Sequence, residues 1–142
     1  MSLSGRIRSR PLLALATVVA GIATAGSLYL SLGLGLVPCE LCWYQRILMY
    51  PLVVVLGVAT YDRRLRVYRT VLPLSVLGSV VAAYHSWLQV AGASGGCSIG
   101  GCSAIQLRVL GLSIPNLALL AFLTISVLML VLALRGPTDA AE

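Results

Sequence analysis

Four cysteines carry the chemistry that this sequence can offer, and they come as two short pairs. Cys39 and Cys42 form C-E-L-C, and Cys97 and Cys102 form C-S-I-G-G-C. A disulfide stabilises chiefly by closing a long loop of the unfolded chain, so a bridge across two or four residues contributes little to folding. Small rings are readily strained, and strained or exposed disulfides are the reducible ones. Short pairs therefore point to thiol–disulfide exchange. Cys42 falls at the start of an apolar run, where a helix N-terminus favours a thiolate. Arg46 follows four residues later on the same helical face, placed to stabilise that thiolate or an anionic acceptor beside it. The bland alternative for Arg46 is an interfacial side chain reaching back to lipid headgroups.

Other residues gather at the same end. His85 is the single histidine, late in an apolar run and at about the depth of Arg46, so the two are expected to flank one pocket. Gln45 can donate a hydrogen bond to a carbonyl there. Trp43, Tyr84 and Trp87 read as interfacial belt aromatics, with Trp43 also able to line a pocket. Two close cysteine pairs can also make a tetrahedral zinc site, but C-x4-C is an unusual half-site, and no residue is assigned to a metal. Haem attachment needs His directly after the second cysteine, and Trp43 stands there.

The elements that hold these residues are membrane helices. Of 142 residues, 59% are hydrophobic and 10% charged, with a mean hydropathy of +0.99. A soluble domain of this size needs more charge on its surface. A helix needs roughly 20 apolar residues to cross a bilayer, and four apolar runs meet that length, with spans expected at about 11–36, 43–60, 70–91 and 112–134. The fold class is an all-α membrane protein, a four-transmembrane-helix bundle occupying 1–142 as a single domain. Gly21, Thr24, Gly57, Gly78 and Ala82 are small enough to let helices approach, and Pro51 predicts a kink in the second span. The tail Gly136–Glu142 reads as short, polar and disordered.

Charge placement sets the orientation. All ten basic residues are Arg, and Arg6, Arg8, Arg10, Arg63, Arg64, Arg66, Arg69 and Arg135 fall on one side if both termini are cytoplasmic. Only Arg46 and Arg108 then lie near the outer face, so the positive-inside rule selects N-in/C-in. All four cysteines face the extracytoplasmic compartment, where disulfides persist. The net charge of +6 is not a nucleic-acid signal, since no basic face with interleaved aromatics accompanies it. Ala23-Thr24-Ala25 after the first arginines resembles a signal-peptide cleavage site, but the apolar run continues to Val37, well past it, so an uncleaved span is expected.

Pro38-Cys39-Glu40-Leu41-Cys42-Trp43-Tyr44-Gln45-Arg46 resembles the signature of the DsbB family of disulfide-bond formation proteins. Ile47-Leu48-Met49-Tyr50-Pro51 and the four-residue gap between Cys97 and Cys102 resemble its short BdbC-like members. The likeness implies a multi-pass cell-membrane dithiol:quinone oxidoreductase that reoxidises an extracytoplasmic DsbA-like thioredoxin-fold protein. It implies that Cys97 receives the partner's thiol, that Cys102 exchanges with Cys39, and that Cys42 passes electrons to ubiquinone or menaquinone, with Arg46, Gln45 and His85 near the quinone. Long-looped members separate their second pair further and carry an amphipathic segment between, which has no counterpart here. Vitamin K epoxide reductase-like proteins place their loop cysteines before the C-x-x-C, the reverse of this order. Apart from any family, four cysteines hold at most four electrons, so repeated oxidation needs an external sink. No Gly-rich strand–helix turn for a nucleotide or flavin is present, and a membrane quinone pool is the economical choice. The rival functions are a metal-binding membrane protein and a purely structural one.

Overall fold

Each apolar run is hydrophobic on all sides, the pattern of a helix surrounded by lipid or protein rather than water. In the computed structural model, which describes residues 3–92 and 107–135, these runs form four long helices. They are α1 (Leu3–Leu28), α2 (Glu40–Asp62), α3 (Tyr68–Ala91) and α4 (Ile114–Arg135). All four are long and apolar enough to cross a membrane. The tail Gly136–Glu142, expected to be disordered, lies outside the described residues.

The helices pack in a ring, α1 on α2, α2 on α3, α3 on α4 and α4 back on α1. Buried positions recur at helical spacing: Leu13, Ala16 and Ala20 on α1, Met49, Leu52 and Leu56 on α2, Phe122, Ile125, Met129 and Leu132 on α4. The opposite faces expose Ile22, Val54, Val80 and Val127, as a bundle dissolved in hydrocarbon requires. Lipid is as apolar as leucine, so close packing and interhelical hydrogen bonds must hold the helices together. Gly78 on α3 shows how close the packing is. A Cβ there would lie 2.2 Å from the Phe122 ring of α4. Beside it, Ser126 Oγ donates to Ser75 Oγ at 2.9 Å, and Thr17 and Thr60 hydroxyls meet at 2.8 Å between α1 and α2.

Several helix ends differ from the sequence expectation, α1 starting at Leu3 rather than 11 among them, and three of the differences lie at one end of the bundle. Beyond α1 the chain widens into a π-helical turn, Tyr29–Gly33, closed by Leu34 N–H donating to Tyr29 O. α2 begins at Glu40, ahead of the expected 43, because Cys39 is extended (φ −73°, ψ 172°) and its carbonyl accepts the first helical bond from Trp43. α4 begins at Ile114 rather than 112. Residues Arg108–Val109 (β1) and Leu112–Ser113 (β2) pair antiparallel around Leu110 and Gly111, whose φ values of 55° and 83° match a tight hairpin turn. Pro115 in the first turn of α4 then costs no helical hydrogen bond. Pro51 lies within an α2 that continues to Asp62.

Candidate functional site

Cys39 caps α2 and Cys42 is its third residue, so the helix start brings both thiols to one side of the first turn. Their sulfurs lie 3.2 Å apart and share a hydrogen bond. Covalent S–S distance is about 2.05 Å, so a disulfide needs only a local adjustment of two χ angles. α3 contributes His85 from its last two turns, with Nε2 3.7 Å from Cys39 Sγ. The other ring nitrogen, Nδ1, is 3.0 Å from the Gln45 side-chain amide. Cys39, Gln45 and His85 are buried, and Leu88 covers Cys39. The hydrogen bond with the Cys42 thiol, and then His85, hold the Cys39 thiol well below its ordinary range, at about 4, against the opposing effect of burial. From sequence the favoured thiolate is Cys42, through the helix dipole; in the structure the thiol held low is Cys39, which lies between the Cys42 thiol and the His85 ring.

On the far side of Cys42 lies a cavity of about 400 Å³ between α1, α2 and α4. Cys42, Gln45 and Arg46 form its polar wall, and Leu30, Leu36, Met49, Leu117 and Phe122 are among its apolar ones. Arg46 is held from α1: Nη2 donates to Ser27 O at 3.0 Å and to Ser31 Oγ. These two partners lie just before and within the π turn, Tyr29–Gly33. Trp43 stacks under the guanidinium, 5.5 Å from ring centroid to Cζ, and is otherwise exposed. The Tyr50 hydroxyl, also on the wall, is buried and makes no hydrogen bond among the described residues.

The structure thus gathers Cys39, Cys42, Gln45, Arg46 and His85 at one end of the bundle. His85 is not opposite Arg46 across the pocket: it stands behind Gln45, against Cys39, while Arg46 is on the cavity wall. Cys97 and Cys102 lie outside the described residues. Ser27, Ser31 and Tyr50 were not singled out from sequence. Their signals were present: two serines four apart in an otherwise apolar span, and a tyrosine one turn beyond Arg46.

The family of Disulfide bond formation protein DsbB matches residues 9–132, nearly the whole bundle. The chain belongs to the DsbB family. Among curated relatives it is 48% identical over 120 residues to Disulfide bond formation protein C of Bacillus subtilis (strain 168), covering 81% of this chain and 87% of the relative. It is 42% identical over 131 residues to a probable disulfide formation protein of Oceanobacillus iheyensis, covering 88% and 90%. To one from Metapseudomonas resinovorans it is 36% identical over 130 residues, covering 87% and 90%. No solved structure matches the chain. As a DsbB-family protein it is a multi-pass helical membrane oxidoreductase of disulfide bond formation.

Proposed function

We propose that this chain is a quinone-dependent dithiol oxidase that reoxidises an extracytoplasmic, DsbA-like thioredoxin-fold protein. The observation that carries the proposal is the cavity. One thiol, Cys42, opens onto about 400 Å³ of mainly apolar space whose polar lining includes Arg46, Gln45, Ser27, Ser31 and the Tyr50 hydroxyl, which has no hydrogen-bond partner among the described residues. A flat, apolar carbonyl compound needs apolar walls and a few hydrogen-bond donors, and this set provides both. Arg46, Gln45 and Tyr50 would hold a ubiquinone or menaquinone there, beside Cys42. When bound, it supplies a sink for two electrons and two protons.

Cys97 accepts a partner thiolate, forming a mixed disulfide as the Cys97–Cys102 bond breaks. The partner's second thiolate releases the oxidised partner and leaves two thiols on this chain. Cys102 then attacks Cys39 of the Cys39–Cys42 disulfide, and Cys97 resolves that bond, so the pair at α2 becomes reduced. The Cys39 environment suits a leaving thiolate. Arg46 favours negative charge next to Cys42, and His85 orients Gln45 and Cys39.

We further propose a single functional unit, 1–142, inserted N-in/C-in with its cysteines outside. The reactive thiols sit at the start of α2 and the arginines Arg63, Arg64, Arg66 and Arg69 follow its other end, about 35 Å away at 1.5 Å per residue. That separation supports a cytoplasmic arginine loop and an outer active site.

The test is to follow quinone absorbance with detergent-purified protein and a reduced thioredoxin-fold dithiol protein. Catalytic quinone reduction is expected, abolished by Cys42→Ser and weakened by Arg46→Ala. Absence of quinone loss in a folded sample overturns the reading.

A further inference from the structure

We propose that Cys39, Cys42 and His85 form a redox-gated binding site for a thiophilic divalent cation, Zn²⁺, that exists only while the cysteine pair is reduced. Their donor atoms, two Sγ and one imidazole nitrogen, all lie within 4.8 Å of one another. Tetrahedral zinc at about 2.3 Å from sulfur and 2.0–2.1 Å from nitrogen sets S···N at about 3.5 Å and S···S at about 3.8 Å. Cys39 Sγ and His85 Nε2 are already 3.7 Å apart, and the sulfurs must open from 3.2 Å by about half an ångström. Thiolate and imidazole together select zinc over the hard cations. Three protein ligands leave a fourth position for water or an incoming thiolate, the pattern of open zinc sites.

The surroundings fit this role. Nε2 ligates through its lone pair, so Nδ1 must carry the ring proton and donate it. The Gln45 amide, 3.0 Å from Nδ1, accepts that proton through its oxygen after a half-turn of the amide. Both cysteines ligate as thiolates, any thiol proton still held leaving to solvent on binding, and no electrons move. Oxidation to the disulfide removes both thiolates, so it dissolves the site. Zinc held on the reduced pair withdraws both thiolates from exchange, and the cation becomes a reversible brake on the reduced enzyme. From sequence the four cysteines are the only zinc set to consider; the α2–α3 contact supplies His85 instead of the second pair.

The experiment uses the full chain with Cys97→Ser and Cys102→Ser, in detergent with a phosphine reductant, titrated with Co²⁺ alone. The expected result is one equivalent bound, with tetrahedral d–d bands and a thiolate charge-transfer band, all displaced by Zn²⁺. His85→Ala should weaken binding at least tenfold, and His85→Cys should restore a tetrahedral, three-thiolate spectrum, which separates ligand loss from misfolding. Protein oxidised to the Cys39–Cys42 disulfide should bind none. Failure to bind one tetrahedral equivalent, unchanged affinity in His85→Ala, or equal binding by oxidised protein overturns the proposal. No quinone or partner enters the titration, so its failure and that of the oxidase reading are told apart.

Discussion

At the scale of single residues, the site separates two jobs that the C-x-x-C motif alone leaves merged. Cys39 is the buried sulfur, fixed by the Cys42 thiol and His85, and Cys42 is the one that reaches the cavity. The Cys39 thiol is lowered to about 4, so the reduced, chelator-treated protein should keep one thiolate down to near that pH and lose it only below. Following thiolate ultraviolet absorbance through an acid titration checks this. The Cys42 hydrogen bond is the largest cause, so Cys42→Ala should raise the midpoint more than His85→Ala does. An ordinary thiol midpoint in the wild type would refute the assignment. The donors on the cavity wall rank by charge. Losing a charged hydrogen bond costs about 1.5–3 kcal/mol and a neutral one about 0.5–1.5 kcal/mol. Arg46→Ala should therefore raise the quinone KM more than tenfold, and Tyr50→Phe by about two- to tenfold. Steady-state kinetics at varied quinone gives both.

At the scale of elements, position depends on how closely helices approach. Gly78 accepts the Phe122 ring where any Cβ would collide with it. The ring is rigid and its neighbours are packed, so Gly78→Ala should destabilise the bundle by about 1–3 kcal/mol, measured by denaturant unfolding in detergent. Gly78 is legible in the sequence as one of five small residues. Nothing there distinguishes it from Gly21 and Gly57, beside which a Cβ would meet nothing. The difference is made by Phe122, some forty residues away. The α1 end carries the same lesson. Ser27 and Ser31 hold Arg46 from just before and within a π turn of the chain beside α2. No spacing rule announces that turn, since it preserves the apolar run that predicts a helix.

At the scale of the whole molecule, the bundle is polarised from end to end. The thiols stand at one end, and the exposed loop with Arg63, Arg64 and the Asp62–Arg64 pair stands at the other. A membrane-impermeant maleimide should label reduced Cys97 in intact cells. A cysteine introduced as Asp62→Cys should be labelled only after permeabilisation. The reverse result would invert the proposed topology.

Membrane residence, four spans and the closeness of the Cys39 and Cys42 thiols were determined by the sequence alone, because each rests on a local property. Hydropathy over about 20 residues decides insertion, and C-x-x-C at a helix start decides which thiols meet. What only the tertiary structure decided is the division of the polar residues into two environments. Gln45 and Arg46 are neighbours in sequence, yet Gln45 turns inward to His85 while Arg46 is drawn to α1. A helix rotates by about 100° per residue, so consecutive residues meet different partner helices. Which helix stands on which side is set by the ring packing of all four. That packing puts His85 on Cys39 and leaves the cavity on Cys42.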